Sequence, residues 1–284
     1  MKIIDILKRE KTTISLELFP PKQFSQLEDT KRIVAETATL SPAFVSCTYG
    51  ATGGTSEFTV EVAKEIENHN IPALAHLTCV SSTRQKVYEV IEKLKSENIQ
   101  NILALRGDIP TEPDFVLPND YKYASQLIFD IKKNGEFCIG GACYPEGHPE
   151  SASLDEDMEN LKIKVDAGAQ FLTTQMFFDN VVYYEFREKA AKAGINIPIL
   201  AGIMPVTNAS RIGKMIQLSK SRVPSSLATI ISKYGSTPDM EKAGIEFAVN
   251  QINDIISNGF GNIHIYTMNR PNIAKAIIDG VKGV

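Results

Sequence analysis

The sequence lacks any excess of basic residues, because 30 lysines and arginines stand against 34 aspartates and glutamates and give a net charge of −4. A nucleic-acid-binding protein usually carries a broad basic surface, so this balance argues against that class. Long hydrophobic runs are also missing. No stretch reaches the length of a transmembrane helix, and the charged N-terminus does not resemble a signal peptide. We therefore expect a cytoplasmic protein with neither a membrane nor a nucleic acid as a partner.

Cysteine is scarce as well, and none of Cys47, Cys79, Cys138 and Cys143 forms a C-x-x-C pair. Each lies in or at the end of an apolar segment, which indicates reduced core residues rather than metal ligands. The sequence also lacks the H-E-x-x-H, G-x-S-x-G, Walker A and G-x-G-x-x-G motifs. These absences disfavour a metal site, a serine hydrolase, a P-loop enzyme and a Rossmann-type dinucleotide fold.

The sequence does contain a regular alternation of short apolar segments with longer amphipathic ones. Eight short segments predict β-strands, at Ile14–Phe19, Phe44–Tyr49, Ala73–Cys79, Asn101–Arg106, Phe137–Tyr144, Phe171–Phe177, Ile199–Met204 and Ile263–Met268. Eight such units favour an α/β fold of the closed (β/α)₈ TIM-barrel type, with residues 1–284 as one domain. A short helix at Ile3–Leu7 is expected to close the bottom of the barrel. An extra helical segment is expected between strands seven and eight, from about Asn208 to Gly259.

Glu17 is the most informative single residue. Strand alternation places Leu16 and Leu18 on one face and Ser15, Glu17 and Phe19 on the other. In a barrel the leucines would meet the helices and Glu17 would point into the lumen, where burial favours the protonated form that a general acid needs. The alternative is a structural ion pair with an arginine or lysine in the lumen.

Other polar residues collect at the predicted C-terminal strand ends, where barrel enzymes carry their active sites. Asp108 could bind ring nitrogens of a ligand or pair with Arg106, and His76 is either a core histidine or a site residue. His148 lies in a polar loop that favours a site role, whereas His264 favours a structural one. Further alternatives stay open elsewhere: a mid-strand Gln175 could bind a ligand or neighbouring side chains, and Lys164 could pair with Asp157 or Asp166.

Taken in order, these segments resemble the short bacterial form of the methylenetetrahydrofolate reductase family. The matching blocks fall at every strand and cover nearly the whole chain: SLELFPPK, FVSCTYGATGG, AHLTC, LALRGD, YPEGHPE, LKIKVDAGAQFLTTQMFFD, GIMPV and HIYTMNR. The resemblance implies a barrel, usually a homotetramer, that binds FAD noncovalently. It also implies hydride transfer from NADH or NADPH through FAD to 5,10-methylenetetrahydrofolate, in a ping-pong scheme that yields 5-methyltetrahydrofolate for methionine synthesis.

The resemblance also implies roles for individual residues. Glu17 would be the general acid that opens the imidazolidine ring, and Asp108 would tune the flavin and hold folate. Tyr266 and Arg270 would hold folate, and Gln175, with Thr48, would contact nicotinamide or folate. The cofactor-binding set is implied to be Thr48, Tyr49, Ala51, His76, Arg106, Gly107, Asp108, Ala124, Tyr144, His148, Asp157, Asn160 and Lys164. For Lys164 this replaces the surface ion pair with a contact to the FAD diphosphate.

Two departures and two alternatives accompany this reading. Ile163 stands where some relatives carry a basic residue, and the chain ends soon after the eighth unit, so no regulatory domain is expected. Another FAD-dependent barrel oxidoreductase, similar to proline dehydrogenase, would explain the flavin contacts. It would not explain Glu17 within SLELFPP or the strand-eight block HIYTMNR. A non-catalytic barrel that binds folate or a partner subunit would not need Glu17, Asp108 and Gln175 together.

Overall fold

Eight parallel strands form a closed barrel in the computed structural model, which describes residues 1–49, 56–109, 115–210, 212–213, 216 and 221–283. Each strand pairs with the next one along the chain, and the last pairs with the first. The strands are β1 (Thr13–Leu18), β2 (Val45–Cys47), β3 (Ala73–Thr78), β4 (Asn101–Leu105), β5 (Cys138–Cys143), β6 (Phe171–Thr174), β7 (Ile199–Ile203) and β8 (Asn262–Tyr266). The predicted (β/α)₈ barrel is confirmed.

Helices surround the barrel, because parallel neighbours need a crossover and each crossover covers the outer face of the sheet. In the described residues they are α1 (Ile3–Arg9), α2 (Leu27–Ala38), α3 (Ser56–Asn68), α4 (Arg84–Ser96), α5 (Ala124–Asn134), α6 (Leu154–Ala167), α7 (Asn180–Lys192), α8 (Ser225–Tyr234), α9 (Met240–Ser257) and α10 (Pro271–Gly280). Both α8 and α9 lie between β7 and β8, which confirms the extra helical segment. No helix in the described ranges has the length and hydropathy needed to span a membrane.

Side chains that point outward from the strands form the main core. Leu16 and Leu18 of β1 are fully buried there, together with aliphatic residues of the surrounding helices. Local capping residues fix where several helices begin: the side chains of Thr83, Ser153 and Asp179 accept hydrogen bonds from the first turns of α4, α6 and α7. These three helices therefore begin at defined positions after β3, β5 and β6.

The lower lumen, at the N-terminal ends of the strands, is apolar. We define it by the inward side chains of Phe44, Leu74, Leu103, Phe171 and Leu200, which pack together with Ile3, Ile4 and Leu7 of α1. The buried side chain of Asn101 fixes α1 to this end, because its Oδ1 accepts a hydrogen bond from the backbone N–H of Ile3 (2.8 Å). The expected N-terminal helix that closes the barrel bottom is confirmed.

The upper lumen, towards the C-terminal strand ends, is polar. We define it by Ser15, Glu17, Ser46, His76 and His264, each less than one-tenth exposed. Barrel register brings these residues from four strands to one level, with Glu17 opposite Ser46 and Ser15 opposite His264. The inward orientation predicted for Glu17 is confirmed.

The strand boundaries agree with those predicted to within three residues, and several strand starts coincide. The largest difference is at β6, which ends at Thr174 and not at Phe177. Gln175 is therefore not mid-strand, and its side-chain Oε1 accepts a hydrogen bond from the backbone N–H of Met176 (2.9 Å) as the chain leaves the sheet. The cause is tertiary, because Met176 and Phe178 pack into a separate apolar cluster beneath α8 and α9. The four cysteines are buried with free thiols, as expected.

Candidate active site

Glu17 occupies the centre of the upper lumen and is 8% exposed. Its Oε2 lies 3.6 Å from Nε2 of His76 and 3.6 Å from Nε2 of His264. In the part of the chain that the structure describes, these two imidazoles are the basic side chains within 4 Å of the Glu17 carboxyl group, and no arginine or lysine is. The ion pair with a lumen arginine or lysine, left open as the alternative for Glu17, is therefore not found there.

His76 lies on the β3 side of Glu17 and is 5% exposed. Burial lowers its pKa to about 4, although the charge of Glu17 acts in the opposite direction. Burial dominates, because the contact with Glu17, at 3.6 Å, is longer than a hydrogen bond. His76 is therefore a neutral imidazole near neutral pH, and its Nε2 has no hydrogen-bond partner.

His264 is a site neighbour that the sequence analysis assigned to a structural role. Its ring is 1% exposed, its Nδ1 lies 2.8 Å from Oγ of Ser15, and its Nε2 lies 3.4 Å from Oγ of Ser46. Strand alternation could have identified His264 as a site residue, because it lies two residues before Tyr266 and therefore on the same face of β8. Ser15 shares the inward face with Glu17 in the same way.

Tyr266 spans the mouth of the barrel from β8 towards β6. Its hydroxyl donates a hydrogen bond to the carbonyl of Thr174 (2.6 Å), and its ring lies edge-on to His264 at 5.4 Å. Gly202 makes room for this crossing, because a Cβ at that position would lie 2.7 Å from the tyrosine hydroxyl. Burial raises the pKa of Tyr266 well above its usual range, so the hydroxyl stays a donor.

Like Tyr266, the other two expected folate-binding residues, Arg270 and Gln175, have protein partners in this structure. Arg270 donates through Nη2 to Oε2 of Glu241 (2.7 Å), and its side chain is 41% exposed. Gln175 uses its Oε1 on the backbone of Met176. Both lie just beyond strand ends, β8 for Arg270 and β6 for Gln175, and their binding roles stay predictions.

The segment after β4 carries Arg106, Gly107 and Asp108. Arg106 pairs with Glu150 through two hydrogen bonds of 2.6 Å, and its interaction with Asp108 is a weaker electrostatic one. Gly107 has a φ of +82°, and a Cβ there would lie 2.8 Å from Cβ of Thr78. Only glycine fits this close passage over β3 without strain. Asp108 is left exposed beside the mouth.

The loop after β5 carries Tyr144 and His148, whose rings meet edge-on at 4.7 Å. Burial raises the pKa of Tyr144 to about 12, and burial together with the nearby Arg106 lowers the pKa of His148. Asp157, in the first turn of α6, accepts a hydrogen bond from the hydroxyl of Ser151 (3.1 Å). The loop and the first turn of α6 together bring three of the expected cofactor contacts to one side of the mouth.

Lys164 extends from α6 over β5 and donates from Nζ to the carbonyl of Ala142 (2.5 Å). Burial lowers the pKa of this ammonium. The surface pairing considered for Lys164 is wrong with respect to Asp166, which pairs with Lys162 instead. Asn160 of the same helix is exposed.

The remaining expected contacts lie around the mouth or outside the described residues. Thr48 follows β2, and its carbonyl accepts a hydrogen bond from the hydroxyl of Thr59 (3.0 Å). Tyr49 is buried next to it, and Ala124 is buried at the start of α5. Ala51 lies outside the described residues.

The arrangement combines a buried carboxyl group with two imidazoles in the lumen and three cationic or polarisable groups at the β4–β5 side of the mouth. The first set suits proton transfer to a ligand that covers the lumen. The second set, with Arg106, His148 and Lys164, suits a phosphate-bearing ligand.

Comparisons with known proteins agree on one family. A family model described as Methylenetetrahydrofolate reductase matches residues 2–282. The 5,10-methylenetetrahydrofolate reductase of Salmonella typhimurium is 36% identical over 267 residues, covering 93% of this chain and 88% of that protein. The enzyme of the same name from Pectobacterium carotovorum is 35% identical over 269 residues, again covering 93% and 88%.

A solved structure is similar in fold. It is an uncharacterized protein from Clostridium thermocellum that binds two copies of 5-methyl-5,6,7,8-tetrahydrofolic acid, with a TM-score of 0.69. The match covers 97% of this chain and 96% of that one, at 14% identity. At that identity the likeness concerns the barrel alone.

Proposed function

Because the chain belongs to the methylenetetrahydrofolate reductase family, we propose that it reduces 5,10-methylenetetrahydrofolate to 5-methyltetrahydrofolate with NADH or NADPH and a noncovalently bound FAD. The observation that carries the proposal is the buried carboxyl group of Glu17 at the centre of the lumen, flanked by two imidazoles. A reductase of this kind needs an acid for its folate half-reaction, and the lumen provides one that water does not readily reach.

The residues around the mouth fit FAD. Gly107 lets the backbone after β4 pass close over Thr78, where an added Cβ would lie only 2.8 Å from the threonine Cβ. Arg106 and Lys164 would meet the diphosphate, and His148 and Tyr144 would line its approach. The other proposed contacts are Thr48, Tyr49, Ala51, His76, Asp108, Ala124, Asp157 and Asn160. When bound, FAD would carry the hydride from the nicotinamide to the folate.

Glu17 is proposed to donate its proton to the ring nitrogen that leaves the methylene carbon. The carbon–nitrogen bond breaks, the folate becomes an iminium, and the incoming hydride then converts the methylene group into a methyl group. The proton and the hydride together balance the reduction. Asp108, Gln175, Tyr266 and Arg270 would hold the folate over the lumen, and the last three would exchange their present protein partners for the ligand. A ping-pong order follows from one shared position for nicotinamide and folate.

Stepwise anaerobic spectroscopy of the purified protein tests the proposal. We expect a yellow protein whose flavin is bleached by NADH or NADPH and then recoloured by methylenetetrahydrofolate. A colourless protein that gains no flavin absorbance with added FAD would contradict the cofactor assignment. A flavin that is bleached but recoloured only by an unrelated oxidant would instead favour another flavin-dependent barrel oxidoreductase. Light scattering on the same sample tests the homotetramer that we expect.

A further inference from the structure

Glu17 lies at the mouth end of the seam between β1 and β8, opposite Tyr266 in the last pair of residues that are in register there. Within the described residues, its carboxyl group forms no hydrogen bond, and the nearest basic atoms are the two imidazole nitrogens at 3.6 Å. The position of the carboxyl group is therefore set largely by the backbone of β1 and not by a hydrogen-bonding partner of the side chain.

Main-chain pairing between β1 and β8 gives way to side-chain hydrogen bonds at this end of the seam. The hydroxyl of Thr267 donates to the backbone carbonyl of Glu17 (2.6 Å). The backbone N–H of Phe19 donates to Oδ1 of Asn269 (2.7 Å), and Nδ2 of Asn269 donates in return to the carbonyl of Phe19 (3.0 Å). We call these three hydrogen bonds, made by Thr267 and Asn269, the seam clamp.

The turn that carries the seam clamp is strained. Met268 and Asn269 both have a left-handed φ, +54° and +56°, which asparagine tolerates better than methionine. Two such residues in succession persist only where surrounding contacts fix them. The N–H of Asn269 donates to Oγ1 of Thr267 (3.2 Å), and the N–H of Arg270 donates to the Thr267 carbonyl (3.0 Å). This turn directs the side chain of Asn269 back onto Phe19.

The seam clamp holds β1 from the side of β8, while main-chain bonds hold it from the side of β2. On the β2 side, the N–H of Thr48 donates to the carbonyl of Leu18 (3.0 Å). On the β8 side, Thr267 is only 2% exposed, so water does not compete for its bond to Glu17. Loss of that bond would leave the end of β1 held on one side only. Proton transfer is sensitive to displacements of about 1 Å, so the clamp bears directly on the reaction.

We propose that Thr267 and Asn269 are positioning residues for Glu17, and that the seam clamp fixes its carboxyl group where the ring nitrogen of the folate will lie. The kinetic consequence rests on the proposed function, whereas the clamp itself is a property of the protein. Thr267 is buried, and both amide atoms of Asn269 are bound to Phe19. Both residues therefore act through β1 and not by contact with the folate.

Thr267→Val removes the hydroxyl while keeping the shape of the side chain. We expect folate-dependent reoxidation of the flavin to fall by roughly 10- to 100-fold, with reduction by NADH or NADPH near the wild-type rate. Thr267→Ser restores the hydroxyl and should recover most of the loss. Thr13→Val is the matched control, because Thr13 is 3% exposed and its hydroxyl bonds Asn262 (3.0 Å) across the same seam at the barrel bottom. The control should keep both half-reactions, and equal losses in both threonine-to-valine variants would overturn the proposal.

A double variant separates positioning from general loosening of the barrel. In Glu17→Gln the acid is already absent, so the clamp has nothing left to position. Adding Thr267→Val to Glu17→Gln should then change folate-dependent reoxidation by less than about twofold. If the two losses multiply instead, Thr267 acts on the reaction by a route other than Glu17, and the positioning role is wrong.

Two readouts on the flavin-loaded protein need no folate. Asn269→Gly keeps the left-handed backbone but removes the amide, so the N–H of Phe19 should exchange with solvent at least roughly tenfold faster. In a crystal structure of Thr267→Val, the carboxyl group of Glu17 should be displaced by about 1 Å from its wild-type position. An unchanged carboxyl position in Thr267→Val would contradict the proposal.

The outcomes distinguish this proposal from the proposed function. If methylenetetrahydrofolate does not reoxidise the wild-type flavin, the proposed function fails, while amide exchange and the crystal structures still decide whether the clamp positions Glu17. If the flavin is reoxidised normally in both Thr267→Val and Asn269→Gly, the proposed function stands and the seam clamp has no positioning role.

Discussion

The lower and upper lumen are parts of one barrel interior, but their side chains make different kinds of interaction. The lower lumen is apolar and sealed by α1, and Phe171 there is so closely packed that a Cβ on Gly140 would lie 2.5 Å from its ring. The upper lumen is equally buried but polar, and Nε2 of His76 has no hydrogen-bond partner. Phe44 and His264 stack at 6.1 Å, where the two halves meet.

The difference indicates that stability and reactivity are separated along the barrel axis. Buried apolar contacts stabilise the lower lumen without any directional requirement. Buried polar groups with long or missing contacts destabilise the upper lumen, and such groups are retained where a ligand uses them. Substitutions in the upper lumen should therefore change activity more than stability, and substitutions in the lower lumen should change stability more than activity.

Glu17→Gln should have the largest effect, and it should be confined to one half-reaction. We expect folate-dependent reoxidation of the flavin to fall by about 1,000-fold, because an amide cannot act as the acid. Reduction by NADH or NADPH should remain near the wild-type rate. Glu17→Asp, which keeps the carboxyl group one methylene further back, should recover part of the loss. Rapid-mixing kinetics of each half-reaction would contradict the assignment if folate turnover stayed normal in Glu17→Gln.

Phe171→Ala should show the reverse signature. Removal of this fully buried ring leaves a cavity in the lower lumen and should lower the free energy of unfolding by about 3–4 kcal/mol. Both half-reactions should stay close to wild type in the folded protein. Phe129→Ala on α5, where the ring is 50% exposed, is the control and should change stability by less than about 1 kcal/mol. Equal losses in urea unfolding for both variants would refute the sealed lower lumen.

The buried imidazole of His76 in the upper lumen should make the stability of the protein depend on pH. Its pKa is about 4 in the folded protein, lowered by burial, and about 6.5 in an unfolded chain. The unfolded state therefore binds the extra proton between these values, so stability is complete above about pH 6.5 and falls as the pH drops towards 4. The loss is about 2–3 kcal/mol over this window.

Urea unfolding of flavin-free protein measures this effect. The wild type should lose stability between pH 6.5 and 4.5 more steeply than His76→Asn. His69→Asn, at an exposed position on the α3 side of the barrel, should keep the wild-type slope. If His76→Asn and the wild type have parallel profiles, His76 is not a buried neutral imidazole.

Glu150→Gln should have the smallest effect and tests whether the mouth is built for a ligand. Glu150 is 61% exposed where it pairs with Arg106, so its loss should change stability by less than about 1 kcal/mol. If Arg106 binds the diphosphate, Glu150 competes with FAD, and the variant should bind flavin roughly twofold more tightly. Glu146→Gln in the same loop is the control for flavin titrations. Weaker flavin binding in Glu150→Gln would show that the ion pair itself supports the site.

Much of the fold could be predicted because its signals are local. Alternation along β1 identified Glu17 as an inward residue, and helical spacing identified the surrounding helices. The end of β6 was missed because Met176 and Phe177 continue the apolar segment beyond Gln175, and only packing against α8 and α9 turns the chain there. His264 was missed because a single histidine in a strand carries no local sign of what it faces.

The sequence by itself determined the barrel, its apolar and polar strand faces, and the residue types gathered at the strand ends. Only the tertiary structure decided which of those residues meet: Glu17 with His76 and His264, Arg106 with Glu150, and Tyr266 with Thr174. The physical reason is that periodicity fixes the face on which a side chain lies. Its neighbours across the lumen depend on the stagger between strands when the barrel closes.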